Sequence, residues 1–101
     1  MGVGISVLFP PSVEAEIEAI GDYIAQDNPP AALRFMEKLY RRCQSLEQFL
    51  HRGRPYGDRY RAISEGNYVI IYRTDEADGE TRVIIVAVIH GARDIQRILG
   101  L

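Results

Sequence analysis

The sequence predicts a single α+β domain over residues 1–101, in which a four-stranded antiparallel sheet carries a helical hairpin on one face. Three observations predict this fold. Residues 3–9 alternate larger apolar side chains with smaller ones, and two consecutive segments repeat apolar residues at helical spacing. Three stretches rich in β-branched and aromatic residues then fill the second half of the chain. A chain of this length can bury one two-layer core.

The first half has the pattern of a strand followed by two helices. A Pro-Pro pair ends the strand, and Ser12 is the expected N-cap of a helix over residues 13–25. After a break at 26–32, Asn28 is the expected cap of a second helix. Because the two apolar seams match, we expect an antiparallel hairpin. The first seam is Val13, Ile17, Ile20 and Ile24, and the second is Ala32, Met36, Leu39, Cys43, Leu46 and Leu50.

The second half has the pattern of a meander. A loop is expected at 51–58, with Glu65-Gly66 as the first hairpin turn and Asp78-Gly79 within the second, acidic loop. Two helices return the chain to the side it left, so we expect the first strand to lie antiparallel beside the meander. A short C-terminal helix capped by Asp94 should follow. The predicted strands are 59–64, 67–73 and 81–90, and the predicted final helix is 94–99.

Composition narrows the function classes. The net charge is −2, although eleven arginines accompany a single lysine. Because sequence-independent nucleic-acid binding draws its affinity from phosphate contacts, this balance argues against direct nucleic-acid binding, despite a local cluster of Arg52, Arg54, Arg59 and Arg61. One cysteine excludes an internal disulfide. With no long apolar segment and no signal-peptide pattern, we expect a cytoplasmic protein without membrane contact.

The last two strands carry apolar residues on both faces, which two helices cannot cover. With a two-residue turn at Glu65-Gly66, Arg61 would oppose Ile70 and Arg59 would oppose Tyr72. The opposite face would then be the floor for the helices, and the remaining apolar surface would need a partner. The alternative to such a partner is that the chain itself covers the sheet more fully, or that a second copy covers it in a homodimer. The expected helix floor includes Ala62, Val69 and Ile71, and the expected open face includes Arg59, Arg61, Tyr68 and Tyr72.

Four segments in this order resemble the ParE branch of the ParE/RelE toxin superfamily: "YIAQDNPPAALRF", "LEQFLHRGRPYG", "YRAI" with "GNYVIIYR", and "VIIVAVIHGARD". The resemblance covers residues 5–96. It implies the toxin of a type II toxin–antitoxin pair of the kind that stabilises plasmids, neutralised by a DNA-binding, ParD-like antitoxin. An antitoxin segment that folds on binding would cover the open apolar surface. The antitoxin-binding residues we predict are Tyr68, Ile70, Tyr72, Ile98 and Leu99.

ParE-like members of the superfamily poison DNA gyrase, whereas RelE-like members cut mRNA on the ribosome. Metal-free RNA cleavage needs a general base, an acid and cations against the phosphate, and His90 with Arg61 or Arg93 is the set available. The acidic balance, the scarcity of lysine and the presence of only two histidines favour the gyrase inhibitor. A third interpretation is that the protein is a non-toxic member of the superfamily that only binds its partner. The target-binding residues we predict are Arg59, Arg61, His90 and Arg93.

No residue is predicted to be catalytic. Neither a Cys/His cluster with metal-ligand spacing, nor a phosphate-binding loop, nor a Ser/His/Asp set occurs in the sequence. We therefore expect neither a metal nor a cofactor. Cys43 lies on the seam of the second helix, where a small buried hydrophobic residue is the expected role.

Overall fold

A computed structural model describes residues 5–91 of the chain. Two helices pack on one face of a five-stranded mixed sheet, so the predicted α+β class and helical hairpin are confirmed. A short 3₁₀ turn, Ser45–Glu47, follows the second helix. The helices are α1 (Pro11–Ala25) and α2 (Pro29–Gln44), and the strands are β1 (Ile5–Leu8), β2 (Arg54–Tyr56), β3 (Tyr60–Glu65), β4 (Tyr68–Ala77) and β5 (Glu80–His90).

The sheet order is β1-β5-β4-β3-β2, and β1 runs parallel to β5. The prediction of four antiparallel strands was therefore wrong in the number of strands and in the direction of β1 relative to its neighbour. The physical reason is β2, which lies in the segment predicted to be a loop and pairs antiparallel with β3. One additional antiparallel strand between α2 and β3 reverses the direction of every later strand, and β5 consequently runs parallel to β1.

The helix ends follow from local chemistry. Asn28 caps α2 as predicted, because its side-chain oxygen accepts a hydrogen bond from the backbone N–H of Ala31 at 3.1 Å. Ser12 is not the cap of α1: the helix begins at Pro11 with Pro10 in the cap position. Proline is tolerated there because the first N–H groups of a helix have no intrahelical partner.

The turns also differ from the expected ones. The β3–β4 turn is Gly66-Asn67, one residue later than predicted, so Arg61 lies opposite Tyr72. Gly66 adopts a φ of +60°, which favours glycine. The β4–β5 turn is Asp78-Gly79 as predicted, with φ values of 55° and 75° that suit a tight hairpin. The flanking strands continue up to this turn, through most of the expected acidic loop.

The helices lie on the sheet face opposite to the predicted one. Ile70 and Tyr72 are fully buried beneath them, whereas Ala62, Val69 and Ile71 belong to a second apolar cluster on the other face. A β-bulge opposite the Ile71–Tyr72 step leaves Val86 as an extra residue in β5 and exchanges the faces of the residues beyond it. The buried sheet side chains facing the helices are Ile63, Ile70, Tyr72, Val83, Ile85 and Val88.

The apolar side chains at the centre of the second face are also buried, so residues 5–91 show no open apolar patch there. Half-buried Tyr56, Tyr60 and Val86 pack against these central side chains. The large exposed apolar side chains within residues 5–91 lie instead on the helices, the loop after them and β1. They are Leu8, Tyr23, Leu33 and Phe49.

Candidate functional site

An open pocket lies where the tips of the helical hairpin meet the β3–β4 turn. It has a volume of about 610 Å³. Three neighbouring rings form part of its wall. The ring centroids of Phe35 and Tyr68 are 5.5 Å apart, and the Tyr68 and His90 rings meet edge-on with centroids 5.3 Å apart. We call this the aromatic pocket, and its lining is Tyr23, Ile24, Phe35, Gly66, Asn67, Tyr68 and His90.

Backbone geometry fixes the shape of the aromatic pocket. A Cβ atom on Gly66 would stand 3.2 Å from the Phe35 ring, so glycine permits this close approach as well as the positive φ. The backbone N–H of Gly91 donates to the carbonyl of Asn67 at 2.7 Å and holds the end of β5 against the turn. One side of the pocket is therefore formed by the paired ends of β4 and β5 and the turn that they hold, and the other side by the two helices.

The pocket lining favours contact with an apolar or aromatic side chain. It contains no arginine or lysine, so an RNA phosphate placed beside His90 would meet no cation from the pocket wall in the described part of the chain. Tyr23 is 70% exposed and stands at the rim. Exposed tyrosine is an amphipathic contact residue that is enriched in protein interfaces.

Arg61 and Tyr72 hold the loop between α2 and β2. The Tyr72 hydroxyl donates to the Leu50 carbonyl at 2.8 Å and accepts from the Gly53 N–H at 2.9 Å. Arg61 Nη1 donates to the Gly53 carbonyl at 2.7 Å and to the His51 carbonyl at 3.4 Å. Both residues were predicted to face a partner, but these contacts give them a role in positioning the loop.

The predicted target-binding residues do not form one site: Arg59 and Arg61 share a depression, whereas His90 lies apart from them. Tyr68 pairs with His90 on one side and with Glu65 on the other, and Arg61 lies four residues further along β3. At the usual rise per strand residue, Arg61 is about 13 Å from the row that contains His90. Exposed Arg59 lies beyond it and lines a separate 180 Å³ depression together with Arg61 and Arg73. Arg93 lies outside the described residues.

The predicted antitoxin-binding residues also separate. Tyr68 is half-buried and lines the aromatic pocket, whereas Ile70 and Tyr72 have no exposed surface and cannot touch a partner in this conformation. The sequence did not indicate this burial, because both faces of β4 are apolar and the pattern could not show which face the helices cover. Ile98, Leu99 and the predicted final helix lie outside the described residues.

Sequence reasoning missed Tyr23 and Phe35, which complete the aromatic pocket. Neither belongs to the helix seams that the apolar spacing identified. The available signal was Tyr23 itself: it falls on the solvent side of an amphipathic helix, and tyrosine is enriched at protein interfaces.

We expect Cys43 to resist alkylation in the native protein. Its side chain is fully buried, and burial raises the pKa of its thiol to about 12. Because the thiolate is the reactive form, iodoacetamide at mildly alkaline pH should label native protein at least roughly a hundredfold more slowly than protein unfolded in guanidinium. Mass spectrometry of timed samples measures both rates, and similar rates would contradict a buried, protonated Cys43.

Two further findings concern residues 5–91. No helix there is long and apolar enough to cross a membrane. This part of the chain also holds no group of three or more His, Cys, Asp or Glu side chains placed to bind a metal ion.

Comparison with known proteins places this architecture in a family. The profile described as "ParE toxin of type II toxin-antitoxin system, parDE" matches residues 7–95. A solved structure titled "Chromosomal ParDE TA system from P. aeruginosa" shares the fold with a TM-score of 0.67 at 16% identity, covering 87% of this chain and 95% of that one. No curated protein sequence matches the chain significantly. Because the profile covers most of its length, the chain belongs to the ParE family of type II toxins.

Proposed function

We propose that the protein is the toxin of a parDE pair, that a ParD-like, DNA-binding antitoxin neutralises it, and that it inhibits DNA gyrase through protein–protein contact in the cytoplasm. A plasmid that carried such a pair would be stabilised by it. Membership of the ParE family carries the proposal. The aromatic pocket supports it, since its lining suits a protein side chain better than a phosphodiester.

The geometry of the described residues argues against a ribonuclease site that pairs His90 with Arg61, while the other named partner, Arg93, lies outside those residues. A general base and its phosphate-binding cations must act on the same group within a few ångströms. His90 and Arg61 are four residue rows apart along the sheet, and Arg61 is already engaged with two loop carbonyls. Toxicity through gyrase requires no such constellation, because it depends on contact alone.

For the antitoxin, we propose the aromatic pocket as the anchoring site. Tyr23, Phe35 and Tyr68 supply three rings around one open cavity, and an apolar side chain of the antitoxin would bury itself among them. His90 and exposed Arg59 remain proposed target contacts. They lie at different ends of the sheet and would touch separate parts of the target.

Growth assays test the pair. Induced expression of the chain should stop growth, and co-expression of the antitoxin encoded beside it should restore growth. Unaffected growth would favour the non-toxic reading, in which the chain only binds its partner. The absence of an adjacent antitoxin gene would contradict the proposal of a pair.

A single substitution tests the anchoring site. Tyr23→Ala should weaken antitoxin binding roughly 10- to 100-fold, the usual loss for a central aromatic contact, as measured by calorimetry. The thermal midpoint should barely change, because the Tyr23 side chain is largely exposed. Leu8→Ala is the matched control, as it also removes an exposed apolar side chain but lies on β1, outside the pocket lining. Equal affinities for both variants would place the antitoxin elsewhere.

A further inference from the structure

A cationic groove lies along the outer side of α2, next to the aromatic pocket. Its volume is about 280 Å³, and we call it the basic groove. Four cationic side chains face one carboxylate in it, although the whole chain carries a net charge of −2. The lining residues are Lys38, Arg41, Arg42, Ser45, Arg52 and Glu65.

Most of this charge is not neutralised by ion pairs within residues 5–91. The one side-chain ion pair among residues 5–91 joins Arg41 to Glu37 at 3.6 Å, and both of these side chains are largely exposed. The negative end of the α2 dipole helps to explain Arg41 and Arg42, which lie in its last turn. It does not explain Lys38, which lies a turn earlier, or Arg52, which follows in the loop.

Two of the cations are held in place by other contacts. Arg42 Nε donates to the Ser64 carbonyl at 3.2 Å, which ties the guanidinium to the end of β3. The Arg52 guanidinium lies 4.9 Å from the centre of the exposed Phe49 ring, a cation–π contact. A partner would lose less side-chain entropy on pairing with these groups than with free arginines.

The basic groove adjoins two apolar surfaces. Glu65 lines the groove and the next residue, Gly66, lines the aromatic pocket. Arg41 also borders a second depression, of about 380 Å³, that runs along α2 beside Leu33, Met36 and Tyr40. Phe35 and Arg42 are seven residues apart, which is about 10 Å along the helix. A short peptide segment could therefore contact apolar and cationic surface together.

We propose that the basic groove binds an acidic segment of the antitoxin, whose carboxylates follow the apolar residues anchored in the aromatic pocket. This rests on the proposed toxin–antitoxin pairing and identifies the chemistry of its partner. A peptide is favoured over a nucleic acid because the cations adjoin aliphatic and aromatic surface. The acidic balance of the whole chain also disfavours a long polyanion.

Paired charge variants test the proposal. The double variant Lys38→Gln/Arg52→Gln should bind the antitoxin roughly tenfold more weakly at low salt. Its Kd should also depend less on salt concentration than that of the wild type. The control is the double variant Arg54→Gln/Arg73→Gln. It removes two positive charges as well, but from exposed arginines that lie outside the groove. That double variant should keep nearly the wild-type Kd and salt dependence. Arg42 stays unchanged throughout because of its contact with Ser64.

The outcomes are distinguishable. Equal losses in both double variants, or no loss in either, would overturn the basic groove while leaving the pairing intact. If the groove variant instead loses binding of an oligothymidylate probe and keeps its affinity for the antitoxin, the groove binds nucleic acid and the proposal is wrong. Failure of the wild-type protein to bind the antitoxin would overturn the pairing itself.

Discussion

Replacing Tyr72 with Phe should destabilise the protein by about 2–3 kcal/mol, although it removes a single oxygen atom. The side chain is fully buried, and its hydroxyl joins two backbone groups of the loop between α2 and β2. Phenylalanine keeps the ring but leaves the Leu50 carbonyl and the Gly53 N–H without their partner. A buried polar group that loses its hydrogen bond costs more than the bond contributed.

The buried Tyr72 hydroxyl also makes the stability of the fold depend on pH. Burial raises the pKa of the Tyr72 hydroxyl, while the Gly53 hydrogen bond and the nearby Arg61 and Arg52 charges lower it in part. The raised pKa means that the folded protein favours the protonated hydroxyl. This contribution to stability is present below the unfolded pKa of about 10, and it declines as the pH rises above that value. The Phe variant should lack this part of the alkaline loss.

Thermal unfolding measures the effect. At about 4–8 °C per kcal/mol, the midpoint of Tyr72→Phe should fall by roughly 10–20 °C. Tyr60→Phe is the matched control, because Tyr60 is half-buried and its hydroxyl makes no hydrogen bond within residues 5–91. It should shift the midpoint by a few degrees at most. Equal midpoints for the two variants would contradict the role of Tyr72 in holding the loop.

A second substitution, at Gly53, disrupts the same contact from the loop that Tyr72 holds. A Cβ atom on Gly53 would stand 2.6 Å from the Tyr72 hydroxyl oxygen, so Gly53→Ala should displace the ring or the loop. Because both variants disrupt the same contact, their free energies of unfolding should not add in the double variant.

The helices were predictable because their signals are local. The apolar spacing in residues 13–25 sets the buried side of α1, and Asn28 marks the start of α2 through a single side-chain hydrogen bond. The tight turn at Asp78-Gly79 is equally local, as both residues adopt positive φ. Family membership was also accessible, since the four quoted segments keep a recognisable order.

The sheet was harder to predict because its arrangement depends on contacts distant in sequence. β2 is three residues long and contains Pro55, so its pattern resembles a loop until β3 pairs with it. The extra residue Val86 exchanges the faces along β5, and alternation alone cannot reveal such a bulge. With apolar residues on both sides of β4, the pattern left the helix-covered face undetermined.

The candidate site was partly predictable. Tyr68 and His90 both came from the strands, and they prove to be direct neighbours. Their partners Tyr23 and Phe35 come from two helices, and only the folded hairpin brings them to the same cavity. Arg61 has a role that its charge did not reveal, since its hydrogen bonds secure a loop, and its predicted target contact stays a prediction.

A gyrase poison and a ribonuclease should respond very differently to His90→Ala. If His90 were a general base, its loss would reduce RNA cleavage by about 10²–10⁴-fold. As one contact in a protein interface, its loss should weaken gyrase inhibition by no more than about tenfold. The side chain is exposed at the end of β5, so the fold should tolerate the change.

The most direct test is a plasmid cleavage assay with purified protein, DNA gyrase and supercoiled DNA. The proposed function predicts that wild-type protein traps double-strand breaks that require gyrase, that His90→Ala retains most of this activity, and that added antitoxin abolishes it. Intact plasmid DNA in this assay, together with cleavage of mRNA in a translating extract, would contradict the account.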